Sequence, residues 1–310
     1  MMKILFKNSR IKLYLQVFYF FLLCGIAGCS GIKTSADASE ENKLEDALLW
    51  KLTGPEIQEA YIFGTFHLLP EADFYLSKEV QEAFDQSEQV VMELDMDAPS
   101  LQMKMMQNMS MTDGSTLDQM LTKEEMELLD TQLQEAAGLS VAQVNSFKPF
   151  MVETLLLPTF IEGASASYEM SFVQRAIDQK KEILGLETIG FQAALFDKIP
   201  YTDQAEDLIE LLKDRKQMEV LFRSMITLYQ EEDINQLYSA SVEYFSPDEV
   251  ELLLHERNQN WIKNIPELAK EKPTFFAVGA GHLGGQEGII NLLKEAGYSL
   301  YPVLSESGKY

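Results

Sequence analysis

The sequence predicts an α/β domain, with a central mixed, largely parallel sheet flanked by helices and a large helical insertion. Three observations carry this expectation. The apolar runs QVVMELD, EILGLE and TFFAVGAGH alternate with segments of helical period, and such alternation argues a sheet with right-handed crossovers. ALLWKLT and EAYIFGTF flank GPEIQ as the arms of a hairpin would, which makes the sheet mixed. Between about 99 and 163 the pattern is helical, and no strand candidate interrupts it.

The remaining elements follow in order. SKEVQEAFDQS spaces Val80, Ala83 and Phe84 as a short helix would. Within the insertion, Thr122 and Glu125 form a capping pair that opens a helix, and Gly138 closes it. A helix over 168–180 leads into EILGLE, and 202–244 is mostly helical. SPDE at 246–249 supplies a cap, a first-turn proline and a reciprocal glutamate. The helix it opens is expected to run to about Asn264, before Pro266. EGIINLLKEAG then reads as a helix closed by Gly297, and YSLYPV as a last strand.

Upstream, MMKILFKNSRIK is basic and the 16-residue, mostly apolar LYLQVFYFFLLCGIAG ends at Cys29. Charge, length and order are those of a secretory signal, and the run is short for a membrane span. IAGC resembles the cleavage pattern of a bacterial lipoprotein signal, which implies cleavage before Cys29 and lipid on that residue. The plainer alternative is an ordinary signal or a short uncleaved anchor with an incidental cysteine. The expected organisation is therefore a signal over 1–28, a flexible tether over 29–43 and one domain over 44–310. The location expected is lipid-anchored outside the cytoplasm, on the periplasmic face of the outer membrane in a Gram-negative cell. The chain has two cysteines, Cys24 and Cys29, so the domain must be stable without disulfides or thiolate ligands. Its net charge is −24, more acidic once Lys3, Lys7, Arg10 and Lys12 leave, which argues against a nucleic-acid partner.

Two of the three histidines share one frame, FGTFHL at 63–68 and VGAGHL at 278–283. His67 and His282 thus fall at the carboxyl ends of apolar strands, where ligand sites of α/β sheets collect. Glu93 lies inside the apolar VVMEL, where a carboxylate is costly unless compensated. Glu187 ends ILGLE, and it could equally cap the helix that follows. On the helix after Ser246, Val250, Leu253, Leu254, Arg257 and Trp261 share a stripe, so Arg257 points inward and needs a carboxylate or an anionic ligand. Asn258 sits at the stripe's edge; His255 falls well off it and is expected to face solvent. Six methionines crowd 96–111, at spacings that suit a helix face, as core or as an adaptable lid that contacts peptide.

FGTFHLLP, VVMELD, GLET, ERN and VGAGHLGG with a closing GY, taken in order, resemble the TraB/GumN family, related to the Tiki proteases, over about 50–303. The resemblance implies a fold of the EreA/ChaN/Tiki kind and a divalent-metal site built from His67, Glu93 and His282. Glu187, Arg257 and Asn258 also match positions of the family pattern. Similar sequences often carry Asp where this chain has Glu169. Animal Tiki relatives are metal-dependent peptidases that use manganese or cobalt, and a nitrogen/oxygen donor set also suits zinc or iron. The expected activity is metal-dependent hydrolysis of a peptide or protein substrate, with Glu93 or Glu187 as base and Arg257 facing an anionic intermediate. The alternative is a non-enzymatic lipoprotein that binds haem, a peptide or a pheromone-like ligand. No HExxH and no GxSxG is present.

Overall fold

The structure is a computed structural model and describes residues 43–305; the segment expected to be a signal, Cys29, and all but the last residue of the expected tether lie outside the described residues. Among the described residues eight strands form: β1 (Leu49–Thr53), β2 (Ala60–Thr65), β3 (Leu69–Pro70), β4 (Gln89–Leu94), β5 (Ser165–Ala166), β6 (Glu182–Glu187), β7 (Thr274–Gly279) and β8 (Ser299–Pro302). The main sheet has the order β6-β4-β7-β2-β1-β8. β6, β4, β7 and β2 run parallel, while the β1–β2 and β1–β8 pairs are antiparallel. This is the mixed, largely parallel sheet that the sequence implies. β2, β4 and β7 are buried at every position, which accounts for their continuous apolar runs.

Helices cover both faces. On one, Phe63, Phe84, Phe172 and Phe275 pack ring against ring, with centroids 4.9–6.1 Å apart, which seats the helices Lys78–Gln86 and Tyr168–Gln179. Ser77 caps the first of these through Val80 N–H, and Lys180 closes the second in the left-handed conformation. Strand alternation sends Glu93 and Phe276 to the opposite face, towards the helix Glu256–Leu268.

The stretch between β4 and β5 is helical, as its pattern implies, with the helices Leu101–Asn108, Lys123–Ala137 and Pro149–Leu156 the longest in it. Thr122 and Glu125 form the expected capping box, and Gly138 closes that helix at φ 67°. Two small pairings were not legible in the sequence: β3 with β5, and an isolated bridge between Ser110 and Phe147. Elements this short carry no periodicity to read. The insertion shares its core with later chain, since Leu129, Leu133 and Val152 pack with Leu208, Leu211 and Met218. Lys148, fully buried, ties it to the helix Ile189–Phe196 by an ion pair with Asp197 at 2.7 Å and a hydrogen bond to the Ala193 carbonyl at 3.1 Å. Of the clustered methionines, Met105 and Met111 are buried, whereas Met103 and Met106 face outward.

The helix opened by Ser246 departs from expectation twice. Residues Glu251–His255 form a wide π turn, so Leu252, Leu253 and Leu254 are all buried in succession. The helix also continues through Pro266 to Leu268, so the proline does not end it. π turns concentrate at functional sites, and this one stands immediately before Arg257.

Glu153 is buried in the insertion, where desolvation, with Asp207 and Glu249 nearby, pushes its carboxyl well above the ordinary 4.5. A carboxyl raised in this way binds more protons folded than unfolded, so its stabilising share is present at acid pH and lost as pH rises above the unfolded value. Glu153→Gln should therefore raise the melting temperature at pH 8 by about 2–4 °C, as expected for ~1 kcal/mol in a domain of this size, with little change at pH 4. Calorimetry at the two pH values checks it, and an unchanged or lower value at pH 8 would refute it.

Candidate functional site

The two histidine frames lie side by side. β2 and β7 pair in parallel with Gly64 opposite Val278 and Thr65 opposite Gly279, and each frame's glycine makes room for the other. A side chain on Gly64 would meet Leu283 Cδ1 at 2.7 Å and Ala280 Cα at 3.1 Å. A Cβ on Gly279 would lie 3.3 Å from Glu93 Oε1, 3.5 Å from His282 Cδ2 and 3.5 Å from His67 Nε2. His67, Glu93 and His282 thus converge over the carboxyl end of β7, with His282 carried by the 3-10 turn Ala280–His282.

Each imidazole is oriented from behind. His67 Nδ1 is paired with Glu169, whose other oxygen accepts from Ser167 Oγ at 2.8 Å. Glu169 is itself buried. His67 Nε2 is buried with no hydrogen-bond partner. His282 Nδ1 lies 2.7 Å from Asn258 Oδ1, and Asn258 Nδ2 donates to the Glu287 carbonyl at 2.7 Å and the His282 carbonyl at 3.4 Å. With its amide oriented by those carbonyls, Asn258 accepts, so Nδ1 of His282 carries the proton and Nε2 the lone pair. Asn258 is fully buried, further inside than the edge position its helical angle suggests.

Arg257 holds the acids. Its Nη2 donates to Glu93 Oε2 and to Glu187 Oε1, each at 2.5 Å, and Nε donates to Glu187 Oε1 at 3.0 Å. Nη1 donates to the Leu253 carbonyl and faces His282 Nε2, both at 3.2 Å. Sequence reasoning missed two further partners. Gln192 Nε2 donates to Glu187 Oε1 at 2.5 Å and to Glu93 Oε2 at 3.4 Å, and Trp261 Nε1 donates to Glu187 Oε2 at 3.1 Å. A signal for Gln192 existed, five residues after Glu187 in the first turns of a helix whose other side chains are mostly apolar. His255 departs from its expected solvent-facing place: only 18 % of its side chain is exposed, with Nε2 3.0 Å from Tyr238 Oη and Nδ1 3.1 Å from Glu251 Oε2. Its hydrogen-bond partners are these two rather than His67 or His282. Cys29 lies outside the described residues.

Burial and charge set the protonation states. Burial alone would raise Glu93, but Arg257, His282, His67 and the Gly279 N–H, 2.9 Å from Oε1, hold it down to about 2. Burial and then the Arg257 charge lower His282 to about 3, so it is neutral. Burial also pushes His67 down, yet the Glu169 carboxylate outweighs it and the His67 pKa is raised. Arg257 loses by desolvation and gains more from Glu187 and Glu93, so its pKa rises.

As they stand, no three His, Cys, Asp or Glu side chains among the described residues are grouped closely enough to hold a metal ion. The donor set nonetheless fits one. Two imidazoles are each held at Nδ1 by an oxygen partner, as metal-binding histidines are; His67 Nε2 and Glu93 Oε1 lie beside Gly279, whereas His282 turns Cδ2 there and its Nε2 to Arg257 Nη1. The orphaned His67 Nε2 has no other evident use.

An α/β domain with a buried His, Glu and Arg cluster at the carboxyl edge of its parallel strands is the class that fold and site define. The chain belongs to the TraB/PrgY/gumN family, whose model matches residues 48–302. No curated protein matches the chain, and no solved structure does.

Removing Arg257 would leave Glu93 and Glu187 buried without their cation. Arg257→Met should cost about 3–5 kcal/mol in urea unfolding, and much of that loss should be recovered in Arg257→Met/Glu93→Gln/Glu187→Gln. A loss under about 1 kcal/mol would mean that the cluster does not depend on the guanidinium.

Proposed function

We propose that the protein is a divalent-metal-dependent hydrolase of peptide bonds, lipid-anchored outside the cytoplasm. The observation that carries the reading is the convergence of His67 Nε2, Glu93 Oε1 and His282 on the space beside Gly279. His67, Glu93 and His282 would hold the ion, which would supply Lewis-acid polarisation of the substrate carbonyl. Manganese or cobalt is favoured by the family resemblance, and zinc or iron also suits the donors. Glu93, held ionised to about pH 2, serves better as a ligand than as a base near neutrality. Both oxygens of Glu187 are engaged, so Glu187 positions Arg257. Asn258 fixes the His282 tautomer, and Arg257, which lines the cavity, would have one Nη1–H released from His282 Nε2 on metal binding to meet negative charge that develops on the substrate. With Nδ1–H of His67 kept on Glu169, Nε2 would be the atom presented to the ion.

A second reading is favoured by one contact. Arg257 Nη1 stands 3.2 Å from His282 Nε2, on the lone pair that a metal would take. A lipoprotein that captures its ligand without metal or turnover would keep that contact. The adjoining cavity, about 120 Å³, is small beside ligand sites of roughly 300–1,000 Å³, which favours part of a peptide or a pheromone-like ligand over haem.

Metal analysis of residues 30–310, coupled to peptide-library cleavage with and without chelator, separates these readings. Folded His67→Ala and His282→Ala proteins should lack the metal that wild type and His255→Ala retain, and chelator should stop cleavage. Equal metal in all four would make the two histidines structural, while tight peptide binding without metal or cleavage would support the second reading.

The anchor has its own test. Cys29→Ser should move the protein from the detergent phase to the aqueous phase in Triton X-114 partitioning. Wild type in the aqueous phase would end the lipoprotein proposal.

A further inference from the structure

An apolar cavity of about 120 Å³ opens directly on the polar cluster. Its floor is the sheet edge with Thr65, Gly279 and His282, closed by Arg257 from the helix across the sheet. Its walls are helical and apolar, chiefly Phe150, Phe196, Met218, Phe222, Phe245 and Leu253. Phe150 and Phe196 stack at 3.8 Å between centroids, and all but Phe245 of these wall residues are buried. The wall is therefore a packed lining with defined shape. The cavity is partly open to solvent, and a concave, mostly apolar lining with a few converging polar groups is what ligand sites share. For scale, an apolar cavity of about 150 Å³ takes one benzene.

We infer that this cavity is the specificity pocket of the site and takes one large apolar side chain, of leucine to phenylalanine size, from the residue beside the cleaved bond. The inference rests on the hydrolase reading and names its substrate class. Size restricts the occupant to a single side chain, and the apolar wall excludes a charged one, which would be desolvated without a partner. Arg257 and His282 at the floor place the adjoining peptide bond against the polar cluster. Floor and wall also come from different parts of the chain. Strand ends and the turns after them supply the chemistry, whereas the insertion and the helices after β6 supply the shape. Ala240, on the helix Ile234–Tyr244, lines the cavity with Leu237 and Ser241, and a larger side chain there would project into it.

The test compares kcat/KM for metal-loaded residues 30–310 on two peptides that differ only in Phe or Ala at the residue beside the cut. Wild type should prefer Phe by at least about 10-fold, since even one methylene in an apolar pocket is worth roughly 10–200-fold. Ala240→Leu should lower the Phe/Ala ratio by about 10-fold or more, and Phe222→Ala should shift the preference towards Trp. Cleavage indifferent to that residue, or a preference that neither variant alters, overturns the pocket. If wild type cleaves nothing, the hydrolase reading fails by itself and the cavity is tested with toluene by NMR titration. Saturable binding that Ala240→Leu weakens about 10-fold keeps the apolar side-chain pocket, as part of a binding protein. No saturable binding, or binding that neither Ala240→Leu nor Phe222→Ala changes, overturns it. Circular dichroism of each variant confirms folding, and if Ala240→Leu fails to fold, Phe222→Ala decides both arms.

Discussion

A guanidinium buried among two carboxylates is the constraint around which the site is built. Arg257 is 6 % exposed and Glu93 8 %, so none of these charges can rely on water, and each is acceptable only while the others stay in place. Glu93 comes from β4, Glu187 from β6 and Arg257 from the helix across the sheet. Their pairing therefore fixes that helix against two strand ends at once. Breaking such a cluster costs far more than forming it contributes, so its value lies in geometry more than in net stability. Gln192 and Trp261 complete the carboxylate hydrogen bonds, and Asn258 carries the order one step further, to His282.

Much of this was legible in the sequence because it is written in violations of pattern. A glutamate inside VVMEL and an arginine on an apolar helical stripe are each costly alone, and each points to the other. The repeated frame around His67 and His282 foretold that two strands deliver equivalent ends. Less legible were the residues whose presence is unremarkable for their surroundings. Trp261 belongs on an apolar stripe whether or not its indole N–H has a partner, and Gln192 is an ordinary residue near a helix start. The half-buried place of His255 was misjudged because the π turn changes the angular bookkeeping that 100° per residue assumes. The continuation through Pro266 escapes the usual rule because the helix ends two residues later, at Leu268, so the missing N–H and the crowded Ile262 carbonyl disturb only its last turn.

The paired glycines give the frame a physical reading independent of chemistry. Gly64 admits Leu283 and Ala280, and Gly279 admits His67, Glu93 and His282. The turn after β7 could not pack against β2 in its observed form with a side chain at Gly64. The requirement is stricter at Gly64, where a Cβ would meet Leu283 at 2.7 Å, than at Gly279, where the tightest contact would be Glu93 Oε1 at 3.3 Å.

The pairing of β2 with β7 also governs how the chain can reach this state. Ala60 sits beside Thr274, so the centre of the sheet closes only after nearly the whole domain is available. Closing a long loop adds entropy slowly with length, yet topologies dominated by such distant pairings fold slowly. Until β7 arrives, β2 and β4 each present an open hydrogen-bonding edge with apolar faces, the kind of surface that promotes misassembly. The same pairing that brings the two histidines together thus makes the site one of the last features to form, and leaves the nascent chain dependent on protection from aggregation until its C-terminal quarter is in place.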